Sequence, residues 1–154
     1  MELDDLKQNK LKKNVLIYGI KDKPDREKNR KNLIEDIKLE FPNLKEDDIE
    51  KIYKLGQPRT DNRRTGNNNR PIKIVMKKEE YKFQIFERRR ELAKKGVYVN
   101  EEITNYRKDI LNKALIMKKN NEIKNCWTFN GKIYVTTNKE EKFVIMKEMD
   151  FDKI

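Results

Sequence analysis

Apolar residues recur along the chain in two rhythms. Val15 to Ile20 is a continuous apolar run broken by Gly19, and in Pro71 to Lys77 the residues Ile72, Ile74 and Met76 alternate with Lys73, Val75 and Lys77. Both patterns predict strands, the second with a mixed outer face. Ile49 to Leu55 and Val97 to Asn100 predict two more. Helical spacing lies between them. Leu33, Ile34, Ile37 and Phe41 fall on one face of a helix over residues 25–41, which Pro42 ends. Tyr81, Ile85, Phe86, Arg89 and Leu92 predict a second helix over residues 78–95, with Gly96 closing it. Residues 57–70 hold Pro58, Gly66 and consecutive Asn residues, and read as a loop. The order is βαββαβ, which predicts an antiparallel four-stranded sheet backed by two helices in the ferredoxin-like or RNA-recognition-motif arrangement.

A second pattern follows. Thr104 is a candidate cap for a helix running to about Asn120, with Ile110, Leu111, Ala114, Leu115 and Met117 as its apolar stripe. Cys126–Phe129 and Lys132–Thr137 flank Asn130-Gly131, the dipeptide favoured by a type I′ hairpin turn. In that register Phe129 opposes Lys132, Thr128 opposes Ile133, and Trp127 opposes Tyr134. One face then carries Trp127, Phe129, Lys132 and Tyr134; the other carries Cys126, Thr128, Ile133 and Val135. Lys142–Ile145 predicts a third strand, and the residues after it read as a loose tail. Residues 1–13 are charged, with Leu3 and Leu6 at helical spacing, and read as a frayed lead-in helix or as the last turns of a coiled coil. The expected organisation is a lead-in helix (1–13), an RRM-like domain (14–103), a helix-plus-hairpin domain (104–146) and a tail (147–154), all in the α+β class.

Charge sharpens this picture. Lys and Arg number 38 against 27 Asp and Glu, a formal net charge of +11. Residues 21–51 nearly balance, so the excess falls on Arg59, Arg63, Arg64, Arg70, the Arg88-Arg89-Arg90 run and the Arg107-Lys108 pair. Such a confined basic footprint predicts a polyanion-binding surface. The chain has no His and no Ser, which excludes Ser-His-Asp and Cys-His catalysis and His-ligated zinc. Cys126 stands alone and reads as a buried strand thiol, which fits a reducing compartment. No acidic ligand spacing for a divalent ion, no membrane-length apolar run and no signal-peptide core appear. The expectation is a non-enzymatic protein without cofactor or metal. A module that docks a protein partner on its bare sheet face is the competing reading.

The strand NVLIYGI, the helix ending EFPNL, an Arg-rich loop before PIKIVMK, the helix IFERRRELAKKG, the strand VYVNEEIT, then YRKDILNKAL and the hairpin WTFNGKIYV come in an order that resembles the first-open-reading-frame protein of LINE-type non-LTR retrotransposons. The likeness runs from about Asn14 to Ile145. It implies an RNA-recognition-like domain joined to a smaller C-terminal domain, single-stranded RNA or DNA in a basic cleft between them, nucleic-acid chaperone activity, and a ribonucleoprotein of the cytoplasm or also the nucleus. It implies a homotrimer through an upstream coiled coil, of which only residues 1–13 would remain here. The positions matching the family's binding residues are Arg63, Arg64 and Arg70 before the third strand, Arg89 and Arg90 among the second-helix arginines, and Arg107 and Lys108 at the start of the C-terminal domain. Lys12 and Lys13 match loosely at the coiled-coil junction. Arg107 is accordingly expected to face solvent. The sheet face is expected to show Leu16 and Ile72 where stacking rings would stand, with Tyr18 as a lone ring. Trp127 has two readings, a base-stacking ring or a closure of the small core.

Overall fold

The computed structural model describes residues 2–22, 28–56 and 70–154. The fold is mixed α+β, with a four-stranded and a three-stranded sheet, in two compact units: Lys13–Asn100, and Met1–Lys12 together with Glu101–Ile154. The sequence reading set the N-terminal helix and the last residues apart as separate segments. Both are gathered into the second unit.

In the first unit, β1 (Asn14–Tyr18), β2 (Ile49–Lys54), β3 (Ile72–Met76) and β4 (Tyr98–Glu101) lie in the order β2-β3-β1-β4, with β1 and β2 each antiparallel to β3. This is the strand order expected of the βαββαβ pattern. Helix α2 (Arg30–Lys38) starts where the Asn29 side chain accepts the Asn32 N–H at 2.9 Å, and it buries Leu33, Ile34 and Ile37. Its predicted start falls partly outside the described residues. The core beneath the sheet is mostly aliphatic, with Val15, Ile17, Leu33, Ile37, Ile72 and Ile74 fully buried beside Phe41. Gly19 has φ +91°, and a Cβ there would stand 2.1 Å from the Gly96 carbonyl oxygen. Only glycine lets these backbones approach so closely.

The second predicted helix is broken. A 3₁₀ turn (Glu79–Lys82) leads into α3 (Phe83–Phe86), and α4 (Arg89–Ala93) begins only after Arg88 has left helical geometry at φ −95°, ψ 7°. The cause lies in the stripe itself. A continuous helix would carry Arg89 on the buried stripe between Ile85 and Leu92, at a large desolvation cost. The break keeps Ile85 and Leu92 fully buried while Arg89 is exposed.

In the second unit, α5 (Asn105–Lys119) is capped by Thr104. It packs on the sheet formed by β5 (Asn125–Phe129), β6 (Lys132–Thr136) and β7 (Lys142–Ile145). The hairpin register is the expected one, with Phe129 opposite Lys132, Thr128 opposite Ile133 and Trp127 opposite Tyr134. Asn130 (φ 50°) and Gly131 (φ 75°) both take the positive φ of a type I′ turn. Ile110, Ala114, Cys126, Ile133, Val135 and Ile145 form the core, while Leu115, expected in the stripe, is exposed.

Two segments depart from expectation. The tail is ordered: Glu148–Lys153 form a 3₁₀ turn in which Asp150 accepts the Met146 and Lys147 N–H groups at 2.8 and 3.0 Å, and Phe151 enters the core. With a single apolar anchor it has no periodicity to read. Helix α1 (Glu2–Leu11) buries Asp4 and Gln8 and exposes Leu3 and Leu6, the reverse of an apolar-face helix. Polar bonds hold it to the unit. Phe151→Ala should therefore cost about 3–5 kcal/mol in chemical denaturation, the range for a core aromatic; a loss within about 0.5 kcal/mol would mark a tail that contributes nothing.

Candidate nucleic-acid interface

Arg107 is the expected site residue whose environment differs most from the expectation. It is 7% exposed rather than facing solvent. Its Nε donates to Asp4 Oδ2 at 2.7 Å, Nη2 to Asp5 Oδ1 at 2.7 Å, and Nη1 to the Gly131 carbonyl at 2.8 Å. Thr104 sits inside the same network, donating its hydroxyl to Asp4 Oδ1 at 2.6 Å while accepting the Arg107 backbone N–H at 3.2 Å. Gln8 accepts the Thr104 N–H and donates to the Glu102 carbonyl, both at 3.0 Å. Burial alone would raise the Asp4 pKa, but the Thr104 hydroxyl and the Arg107 guanidinium outweigh it and hold the carboxyl below its ordinary value. The carboxylate partners of Arg107, Asp4 and Asp5, lie more than a hundred positions away in sequence, so the chain pattern near it carries no sign of its burial.

Arg70 is also engaged. Its Nε reaches Asp22 Oδ2 at 3.0 Å and its Nη1 donates to the Gly56 carbonyl at 3.1 Å. Lys54 and Lys28 meet Asp22 Oδ1 at 3.1 and 2.8 Å, so three cations converge on one carboxylate. Burial opposes ionisation of Asp22, yet the three cations hold its pKa far below the usual range. Lys54 is a component that sequence reasoning missed. Its side chain is 2% exposed, and a lysine on a strand is ordinarily solvated.

Arg89, Arg90, Lys12 and Lys108 are exposed, Lys13 is half-buried, and none of these five side chains has a hydrogen-bond or ion-pair partner among the described residues. Arg88 differs, pairing with Glu91 at 3.3 Å. Arg63 and Arg64 lie outside the described residues.

The outward sheet faces also correct the reading. Ile72 is fully buried and faces the core with Ile74; β3 presents Lys73 and Val75 outward instead. Leu16 lies on the side of β1 opposite the core residues Val15 and Ile17, yet is only 6% exposed. The Lys73 ammonium stands 5.9 Å from the Tyr53 ring centroid, and Tyr18, Tyr53 and Tyr98 are all exposed. Tyr53 and Tyr98 were missed, although each alternates with a core residue, Ile52 or Val99, and strand periodicity would have put it outward. In the second unit, Trp127 belongs to the face opposite the core and stacks on Tyr134 with ring centroids 5.7 Å apart. Core closure falls to Cys126, whose thiol burial pushes up in pKa.

No known protein family's sequence profile matches the chain, and no curated protein sequence matches it either.

Arg107→Ala should destabilise the second unit by about 3–5 kcal/mol, because it leaves Asp4 buried without its counterion. An unchanged melting temperature would return Arg107 to a solvent-facing role. Asp4 titrates lower in the folded state than in the unfolded one, where its value is near 3.8. Its stabilisation is therefore complete above that pH and lost as pH falls through the lower folded value. Acid denaturation of Asp4→Asn should lack this limb, and an identical acid profile would show that the carboxylate contributes nothing.

Proposed function

We propose that the chain binds single-stranded RNA and DNA with little sequence preference, as a non-enzymatic ribonucleoprotein and nucleic-acid chaperone of the kind it resembles, the first-open-reading-frame protein of LINE-type retrotransposons. The observation that carries this reading is the set of exposed cations without carboxylate partners among the described residues, Arg89, Arg90, Lys12 and Lys108, on a chain of net charge +11. These four stand ready to neutralise phosphates and release counterions.

Phosphate contacts fix position and strength but carry no base information, so binding of this type coats a strand without selecting its sequence. Arg107 has no part in it, since its donors are already engaged. Arginine at positions 89 and 90 adds a planar fork matched to phosphate oxygens.

With about six phosphates neutralised, affinity for a single-stranded oligonucleotide should fall roughly 300-fold between 50 and 200 mM salt. A flat titration would reject the proposal and favour a protein partner on the face that carries Tyr53 and Tyr98. The double variant Arg89→Ala, Arg90→Ala should flatten the salt slope by about 1.4, at about 0.7 for each lost phosphate contact. Its stability should stay within about 0.5 kcal/mol of the parent. An unaltered slope would remove α4 from the interface.

A further inference from the structure

We propose that the outward face of β5–β6–β7 is a base-stacking platform for single-stranded nucleic acid, in which Trp127, Tyr134 and Phe129 receive bases and Lys132 and Lys142 meet the flanking phosphates. The inference rests on the nucleic-acid-binding reading and adds to it a subsite that takes bases rather than phosphates.

A small sheet with its core on one side normally turns polar side chains to water on the other. This sheet sets three rings and a valine among the polar positions of that face. Opposite the core, Phe129 is 51% exposed and Val144 42%, with the Trp127–Tyr134 ring pair between them in register. The two ring planes lie within 10° of parallel. Where solvated strands would mix both signs of charge, the outward positions of these strands carry lysines and no carboxylate. Lys132 and Lys142 are exposed and without a partner among the described residues. Aromatic rings beside unpaired cations match a single strand on both counts. Every base offers a π-face, and every linkage carries a negative charge. The same cations give no advantage to an apolar protein partner.

The platform is also held in place. The hairpin tip is fixed through its backbone, since the Gly131 N–H donates to Glu101 Oε1 at 2.7 Å and its carbonyl accepts from Arg107 at 2.8 Å. Rings already ordered lose little freedom when a base arrives.

Trp127 is the only tryptophan, so its emission reports on this face alone. The full chain is titrated with a fluorescently labelled oligothymidylate of about 20 nucleotides, and label anisotropy and Trp emission are read together. The expected result is Trp quenching with the same midpoint as the anisotropy rise. Trp127→Ala and Phe129→Ala should each weaken binding by about 5- to 150-fold at unchanged salt slope. Trp127→Phe should keep most of the affinity, and Lys132→Gln should lower the slope by about 0.7. Melting curves establish that each variant folds, and Phe129, the more exposed ring, serves if Trp127→Ala does not. Binding with unchanged Trp emission and ring variants within about twofold of the parent would overturn the platform and leave the phosphate-binding reading standing. No anisotropy change at any salt would overturn both. Emission that shifts with protein concentration alone would assign the face to contacts between copies of the chain and overturn the proposal.

Discussion

The second unit depends on one buried ion pair. Arg107 and Asp4 are both almost withdrawn from water, and desolvating two charges is expensive unless every remaining donor and acceptor finds a partner. Here they do. Asp4 takes one bond from the guanidinium and one from Thr104, while Arg107 spreads its remaining donors over Asp5 and the Gly131 carbonyl. The N-terminal helix, the start of α5 and the hairpin tip are joined by this network. Such a pair contributes less net stability than its short distances imply. Its larger effect is to specify one arrangement, because any other leaves a charge buried without a partner.

That dependence separates what was legible in the sequence from what was not. The hairpin register followed from Asn130-Gly131 and period-two alternation, and the first sheet from runs such as Val15–Ile20. These are local signals. Arg107 and Asp4 are distant in sequence, and nothing near either residue points to the other. The same holds for Phe151, a lone aromatic in a charged segment, and for α1, whose buried side chains are polar. The broken second helix failed for the opposite reason. The spacing predicts one continuous helix with Arg89 in its stripe, and the chain instead leaves the helix at Arg88.

The basic residues sort into two chemically different groups once burial is known. Arg70 through Nε and Nη1, and Arg107 through all three nitrogens, bond carboxylates and carbonyls inside their own units. Arg89, Arg90, Lys12 and Lys108 remain in solvent. Net charge alone treats all six alike. Arginine serves the first group well because a planar five-donor fork can satisfy several acceptors at once, as a lysine ammonium in the same place would not.

The hairpin tip is clamped through main-chain atoms of Gly131, and a Cβ there would crowd Gln8 and the Arg107 guanidinium at 2.8 to 3.0 Å. Glycine at 131 is therefore constrained by its surroundings, whereas Trp127, Phe129, Lys132, Tyr134 and Val144 lie on the face opposite the core. The frame and its display are thus independent heritable traits. Mutations on the display can accumulate without touching the main-chain bonds that hold the hairpin tip.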